Sequence, residues 1–236
     1  MSEKNYNIYL EFNYSNLNTA VFDRTNDELK YYKEKSYKSY FNTNELNFEK
    51  LDKLVEENIF EIEKLTKKFI RDINLIIETP QSNSIKLSIS KNNEGDKLTK
   101  DDAMYLVQDA KQQILKSNQD LGIVHIIVEK YVLDKIEYEF LPDDKKCNKI
   151  SVDLNFICFP KELLNNFEKL FLKQQISINK FICSNYVKTF NFNVKYRNIC
   201  EYGNKIANGI NKQEVVSIPK EPKKKGFFAK LFHFFN

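Results

Sequence analysis

Between Phe48 and Pro80 the chain changes period. Phe48, Leu51, Val55, Ile59, Ile62, Leu65 and Phe69 recur every three or four residues with Glu and Lys between them. That is the apolar stripe of an amphipathic helix of about 25 residues, Leu46 to Arg71, whose charged residues form a wet face. The run Ile73 to Glu78, INLIIE, follows without any such spacing. It reads as a strand covered on both faces, and Pro80 closes it. A one-faced helix beside such a strand must be layered on a sheet, so the fold class is α/β.

The same reading extends in both directions. Ile8 to Phe12, Asn18 to Phe22 and Leu29 to Ser36 are short strand candidates around turn-prone Asn13-Tyr14-Ser15-Asn16, which predicts a meander. After Pro80, Ile85, Leu87 and Ile89 alternate with polar residues as in a half-buried strand. Thr99 with Asp101 and Asp102 is a helix-start signal, and Ala103, Leu106, Val107, Ala110 and Ile114 form that helix's buried stripe. Strands are predicted at Ile123 to Val132, Ile136 to Phe140 and Ile150 to Phe159. A helix through Leu163, Leu164, Phe167, Leu170 and Phe171 and a last strand, Ile176 to Cys183, complete a second unit of about 100 residues.

The 236 residues carry 37 Lys and Arg against 33 Asp and Glu, and the excess has one location. From Lys220 onward there are five lysines and one acid, so residues 1 to 219 are formally neutral. A neutral body is no general nucleic-acid surface. Only 5 glycines occur, none inside a phosphate-loop pattern, which removes the familiar nucleotide-cradling motifs. Cys147, Cys158, Cys183 and Cys200 show no C-x-x-C spacing, and only His125 and His233 are available to join them at a metal. Cys158, Cys183 and His125 lie in apolar runs and read as core residues, with no partner evident for the histidine. The N-terminal segment has no secretory apolar stretch and no run reaches the roughly 18 apolar residues of a membrane span, so a cytosolic protein is expected. No Ser, His or Cys constellation suggests nucleophilic or acid–base catalysis, and no cofactor is expected. Pro142-Asp143-Asp144-Lys145-Lys146 reads as a solvated loop, with a docking site as the alternative.

The tail carries the most specific signal. Pro219 and Pro222 break any preceding helix, and Lys223, Lys224 and Lys225 then lead into GFFAKLFHFFN. On a helical wheel Phe227, Phe228, Leu231, Phe232, Phe234 and Phe235 fall within about 160° of arc, leaving Lys230 on a basic edge. About 11 helical residues cover only some 16 Å, so the segment is expected to lie in a membrane interface. The alternative, a helix docked on the protein's own core, does not call for three consecutive lysines behind a proline-punctuated linker. Each Lys near an anionic leaflet contributes about 1 kcal/mol, while ordering the tail costs roughly 1–2 kcal/mol per residue. One tail should bind weakly, and several on one assembly should bind strongly.

A family resemblance accompanies these patterns. T-x-x-D at Thr99 to Asp102, I-x-H at Ile123 to His125 and Y-x-x-D at Tyr131 to Asp134 are followed by a proline-containing loop, a strand, a helix and a strand. This order resembles the inserted domain, called 1C, of the FtsA family, actin-like proteins that tether the bacterial division ring to the inner membrane. NIYLEFNYSNLNTAVFD resembles the family's first phosphate hairpin. There Glu11 stands where an Asp is usual, Asn13 where a Gly is, and Tyr14 where a Thr is, while Ser15 matches, so no nucleotide-binding role carries over to these four positions.

The resemblance implies a partial actin-like fold whose second half is missing. Its expected parts are an N-terminal subdomain at 1–80, an inserted domain at 81–184, a shortened return segment at 185–211, a basic linker at 212–225 and the amphipathic helix at 226–236. Ile199 to Ile210 resembles the family's late helix. The function so implied is a non-enzymatic membrane adaptor of the division machinery at the cytoplasmic face of the inner membrane. Its expected partners are anionic lipid, divisome proteins with FtsZ among the candidates, and further copies in filaments, without nucleic acid. A nucleotide-dependent actin-like switch and a pilus-assembly adaptor with the same insertion are the alternatives.

Overall fold

A computed structural model describes residues 6–37, 41–42, 45–190 and 198–215. Strands β1 (Tyr6–Phe12), β2 (Asn16–Asp23) and β3 (Leu29–Ser36) form the antiparallel meander read from the sequence. A two-stranded ribbon, β4 (Phe41–Asn42) and β5 (Glu45–Leu46), leads into helix α1 (Phe48–Thr66). The chain returns as β6 (Asp72–Ile77), parallel to β1, and its INLII residues are buried on both faces as expected.

Helix α1 is shorter than its periodicity suggests. Asn47 caps its start by accepting from the Lys50 N–H, and Lys67, at φ 56°, ends it in the left-handed region. The Glu63 carboxylate then takes the Ile70 N–H at 2.9 Å and turns the chain toward β6. Leu65 and Phe69, expected on the buried stripe, are therefore 49% and 88% exposed. The stripe that does pack is Leu51, Leu54, Val55, Ile59 and Ile62.

A second sheet follows, built from β7 (Asn83–Asn92), β8 (Leu121–Leu133), β9 (Ile136–Tyr138) and β10 (Lys149–Pro160) in the antiparallel order β7-β10-β8-β9. Helix α2 (Lys100–Ser117) starts with a capping box: the Thr99 hydroxyl accepts from the Asp102 N–H and the Asp102 carboxylate accepts from the Thr99 N–H. Its buried stripe is the predicted Ala103, Leu106, Val107, Ala110 and Ile114, set against Ile150, Val152, Leu154 and Phe156.

The expected unit 81–184 is divided by the strand pairing. Helix α3 (Lys161–Leu172) follows β10 without a break, and β11 (Ser177–Cys183) pairs parallel with β6, giving a five-stranded sheet of order β11-β6-β1-β2-β3. Phe167 and Phe171 of α3 pack on Phe12, with ring centroids 5.1 and 6.4 Å away, in the core of the first sheet. The four-stranded sheet with α2 is thus an insertion between β6 and α3. Periodicity gives each element a face to bury and says nothing about which sheet it faces.

Two helices close the described chain. Helix α4 (Ser184–Thr189) was not foreseen, while α5 (Ile199–Ala207) lies within the predicted Ile199 to Ile210 and packs on β1, β2 and β11. Gly203 of α5 lies so close to β6 that an added Cβ would meet Ile76 Cδ1 at 2.5 Å. All four cysteines are free and buried. No helix among the described residues is long and apolar enough to cross a membrane.

Candidate functional site

The β1–β2 turn is where an actin-like protein would hold phosphate, and here it is filled from within. Asn13 Oδ1 accepts the backbone N–H groups of both Ser15 and Asn16, at 2.9 and 2.8 Å. The Tyr37 hydroxyl donates to the Asn13 carbonyl, and the Tyr37 N–H donates to the Ser15 carbonyl at 2.8 Å. Asn13 is not among the positive-φ residues, so this position has no need of glycine. The Ser15 and Asn16 N–H groups, which would face an anion, already have an acceptor.

Glu11 points inward from β1 and is 2% exposed. Asn18 Nδ2 donates to its Oε2 at 2.6 Å, and Ser184 Oγ lies 3.4 Å from Oε1. Burial pushes its pKa up, and the Asn18 hydrogen bond opposes that shift only in part. Beside the turn is a cleft of about 200 Å³ lined by Asn13, Tyr14, Phe48, Glu78, Glu162 and Leu163 among others. That is less than the roughly 300–1,000 Å³ of small-molecule pockets. No Lys or Arg is among its described lining residues, and Glu78 is bound to Lys188 at 2.6 Å. Phosphate would meet carboxylates there.

A second constellation joins the two sheets. Nε2 of His125, on β8, accepts the Cys183 N–H from the end of β11 at 2.9 Å, so the ring proton sits on Nδ1 and is donated to Glu214 Oε1 at 2.8 Å. The Tyr186 hydroxyl of α4 donates to Glu214 Oε2 at 3.0 Å and accepts from Asn211 Nδ2 at 2.7 Å. The imidazole also lies against the Tyr186 ring, centroids 4.6 Å apart. Burial, and secondarily the Glu214 charge, raise the Tyr186 pKa and keep its phenol protonated.

This constellation fastens the C-terminal segment. The Val128 N–H donates to the Gln213 carbonyl and the Val215 N–H to the Ile126 carbonyl, both at 2.8 Å, with Glu214 bridging Ile127 in antiparallel fashion. The expected linker began at 212, yet 213–215 are an added piece of the inserted sheet. His125 has a buried carboxylate partner that sequence reading did not supply, because Glu214 is 89 positions away.

The predicted membrane residues Lys223, Lys224, Lys225, Phe227, Phe228, Lys230, Leu231, Phe232, Phe234 and Phe235 lie outside the described residues. The 142–146 loop is tied down: the Leu98 N–H donates to the Lys145 carbonyl and the Asp144 N–H donates to the Leu98 carbonyl, at 2.8 and 3.1 Å, and Lys145 Nζ sits 4.5 Å from the Tyr138 ring centroid. No cluster of three or more His, Cys, Asp or Glu residues able to hold a metal occurs among the described residues.

No family model matches the chain, and no curated protein matches it. Among solved structures it is distantly similar to the PilM–PilN type IV pilus biogenesis complex, at 8% identity and TM-score 0.45 over 77% of this chain and 48% of that one. A Bacteroides thetaiotaomicron protein with an actin-like ATPase fold and unknown function matches at 12% identity and TM-score 0.34, over 79% and 55%. The cytoplasmic domain of EpsL, an inner membrane component of the Vibrio cholerae type II secretion system, matches at 10% and TM-score 0.36, over 78% and 57%. The chain thus spans about half the length of these structures. The similarity is to the actin-like fold at a distance and to no specific family within it. The expected cell-division role gains no support from it.

Proposed function

We propose that this protein is a non-catalytic adaptor of partial actin-like fold that holds an assembly against the cytoplasmic face of a bacterial inner membrane. The observation that carries this reading is the Asn13 carboxamide, which occupies the two turn N–H groups a phosphate would need. Glu78 and Glu162 beside the turn reinforce it, since neither stabilises a polyphosphate. The Lys223–Lys225 and Phe227–Phe235 pattern supplies the lipid-binding part, as an interfacial helix behind a polybasic segment.

The assembly placed first is of the pilus-assembly kind, to which one of the similar structures, the PilM–PilN complex, belongs. A division adaptor is the second reading, favoured by the T-x-x-D, I-x-H and Y-x-x-D order between Thr99 and Asp134. A fluorescent fusion separates them, midcell position favouring division.

Calorimetry with Mg·ATP tests the adaptor reading: no saturable heat is expected, and clear micromolar binding would overturn it. Flotation with vesicles of anionic phospholipid tests the anchor. Deleting 226–236, or changing both Phe228 and Leu231 to Asp, should abolish flotation, and undiminished flotation of either variant refutes the anchor.

A further inference from the structure

Strand β7 has one partner, β10, and its other edge is open among the described residues. The Asn93 N–H bonds to the Asn148 carbonyl, which continues the β7–β10 register. In an antiparallel ladder bonding direction alternates, so Asn83, Ile85, Leu87, Ile89 and Lys91 bond inward to β10. Ser84, Lys86, Ser88, Ser90 and Asn92 therefore present their N–H and C=O groups outward, and no described residue takes them.

Such an edge is normally blunted by charge, proline, bulges or shortness. Strand β3, which is an edge of the other sheet among the described residues, carries Lys30, Lys33, Glu34 and Lys35 in eight residues. Strand β7 is ten residues long, has no proline, and pairs with β10 without irregularity. Its two lysines are engaged within the molecule, Lys86 with Glu129 at 2.6 Å and Lys91 with Asp102. The solvent-face hydroxyls are held too, Ser84 by Asn155 and Ser88 by Asp153, each at 2.6 Å. Along the other face Ile85, Leu87 and Ile89 are only half-buried.

We infer that β7 pairs antiparallel with β7 of a second copy, about a two-fold axis at Ser88, joining two four-stranded sheets into one of eight. The sequence of β7 fits a second copy of itself in this register. Centred on Ser88, the outward-bonding residues match as Ser84 with Asn92, Lys86 with Ser90, and Ser88 with itself, while Leu87 meets Ile89 and Ile85 meets Lys91. No like charges stand opposite one another. Centring on Lys86 would set that lysine against its own copy, centring on Ser90 would pair only 88–92, and centring on Leu87 would put Lys86 opposite Ser88, where Ser88→Glu would strengthen the pairing instead of weakening it. The paired apolar residues complete each other's burial, and an isologous dimer is the commonest closed assembly. The inference deepens the adaptor reading by naming a second copy as partner: two tails on one body bind lipid more strongly than one.

Sedimentation equilibrium of the full chain, without lipid, tests the pairing independently of the anchor. A dimer is expected, and a monomer throughout the micromolar range overturns the inference. The Ser88 N–H points outward, so Ser88→Pro costs no bond to β10 and should abolish the dimer. Ser88→Lys and Ser88→Glu should each weaken it about tenfold or more by setting like charges at the axis. An equimolar mixture of these two variants should restore association. Far-ultraviolet circular dichroism identifies variants that remain folded. A dimer unaffected by the folded Ser88 variants, or one lost on deleting 226–236 alone, refutes the pairing.

Discussion

His125 Nδ1 donates to Glu214 Oε1 at 2.8 Å, and this bond fastens the last described segment of the chain to β8 of the inserted sheet, while Nε2 of the same ring accepts the Cys183 N–H from the five-stranded sheet. The pair is almost wholly enclosed, with 2% and 9% of the two side chains exposed. Removing one partner leaves the other unsatisfied in a site closed to water. Glu214→Ala is expected to destabilise by about 1–3 kcal/mol, read as a lower urea midpoint. It should also speed amide exchange at Val128, whose N–H bonds to Gln213. Unchanged exchange there would show that backbone pairing alone fastens the segment.

Glu11 supplies a pH-dependent prediction. Its pKa is raised in the folded state by burial, so the charged carboxylate opposes folding once the pH exceeds the unfolded value of 4.5. The penalty is absent below that pH, grows as pH rises through the folded pKa, and is constant above it. Glu11→Gln should therefore raise the thermal midpoint at pH 7 and lose that advantage below about pH 4.5. A variant less stable than the parent at pH 7 would mean that the carboxylate itself holds Asn18 and Ser184 in place.

Asp102 has the opposite sign. Its hydrogen bonds to Lys91 and Thr99 lower its pKa from 3.8 to about 2. That contribution is present above the unfolded pKa and is lost as pH falls toward about 2. The stability gap between the parent and Asp102→Asn should be full at pH 6 and close over that interval. Because the group is partly exposed, added salt should narrow the gap at pH 6 as well.

Gly203 tests how tightly α5 is laid on β6. An alanine there must displace Ile76, which is fully buried, and overpacking of this kind costs about 1–3 kcal/mol. Gly203→Ala should lower the denaturation midpoint, and pairing it with Ile76→Val should recover part of the loss.

Much of the secondary structure was legible in the sequence because burial is written locally. INLII marked a strand enclosed on both faces, the three- and four-residue spacing marked α2, and Thr99 with Asp102 marked its start. These signals arise from side chains a few positions apart, which physics couples through backbone geometry. The local charge at the end of the chain was equally plain, and it carries the lipid proposal by itself.

Tertiary structure decided the rest, because each remaining feature depends on residues far apart in the chain. That β11 lies beside β6 rather than in the inserted sheet follows from which apolar faces meet, and the faces alone do not tell. That α1 stops at Thr66 depended on Lys67 turning left-handed and Glu63 capping Ile70. The partner of His125 stands 89 residues away, and the edge of β7 is open because no other strand among the described residues arrives there. Hydrogen-bonding groups gain or lose partners by position in space, and amphipathic periodicity carries no record of that.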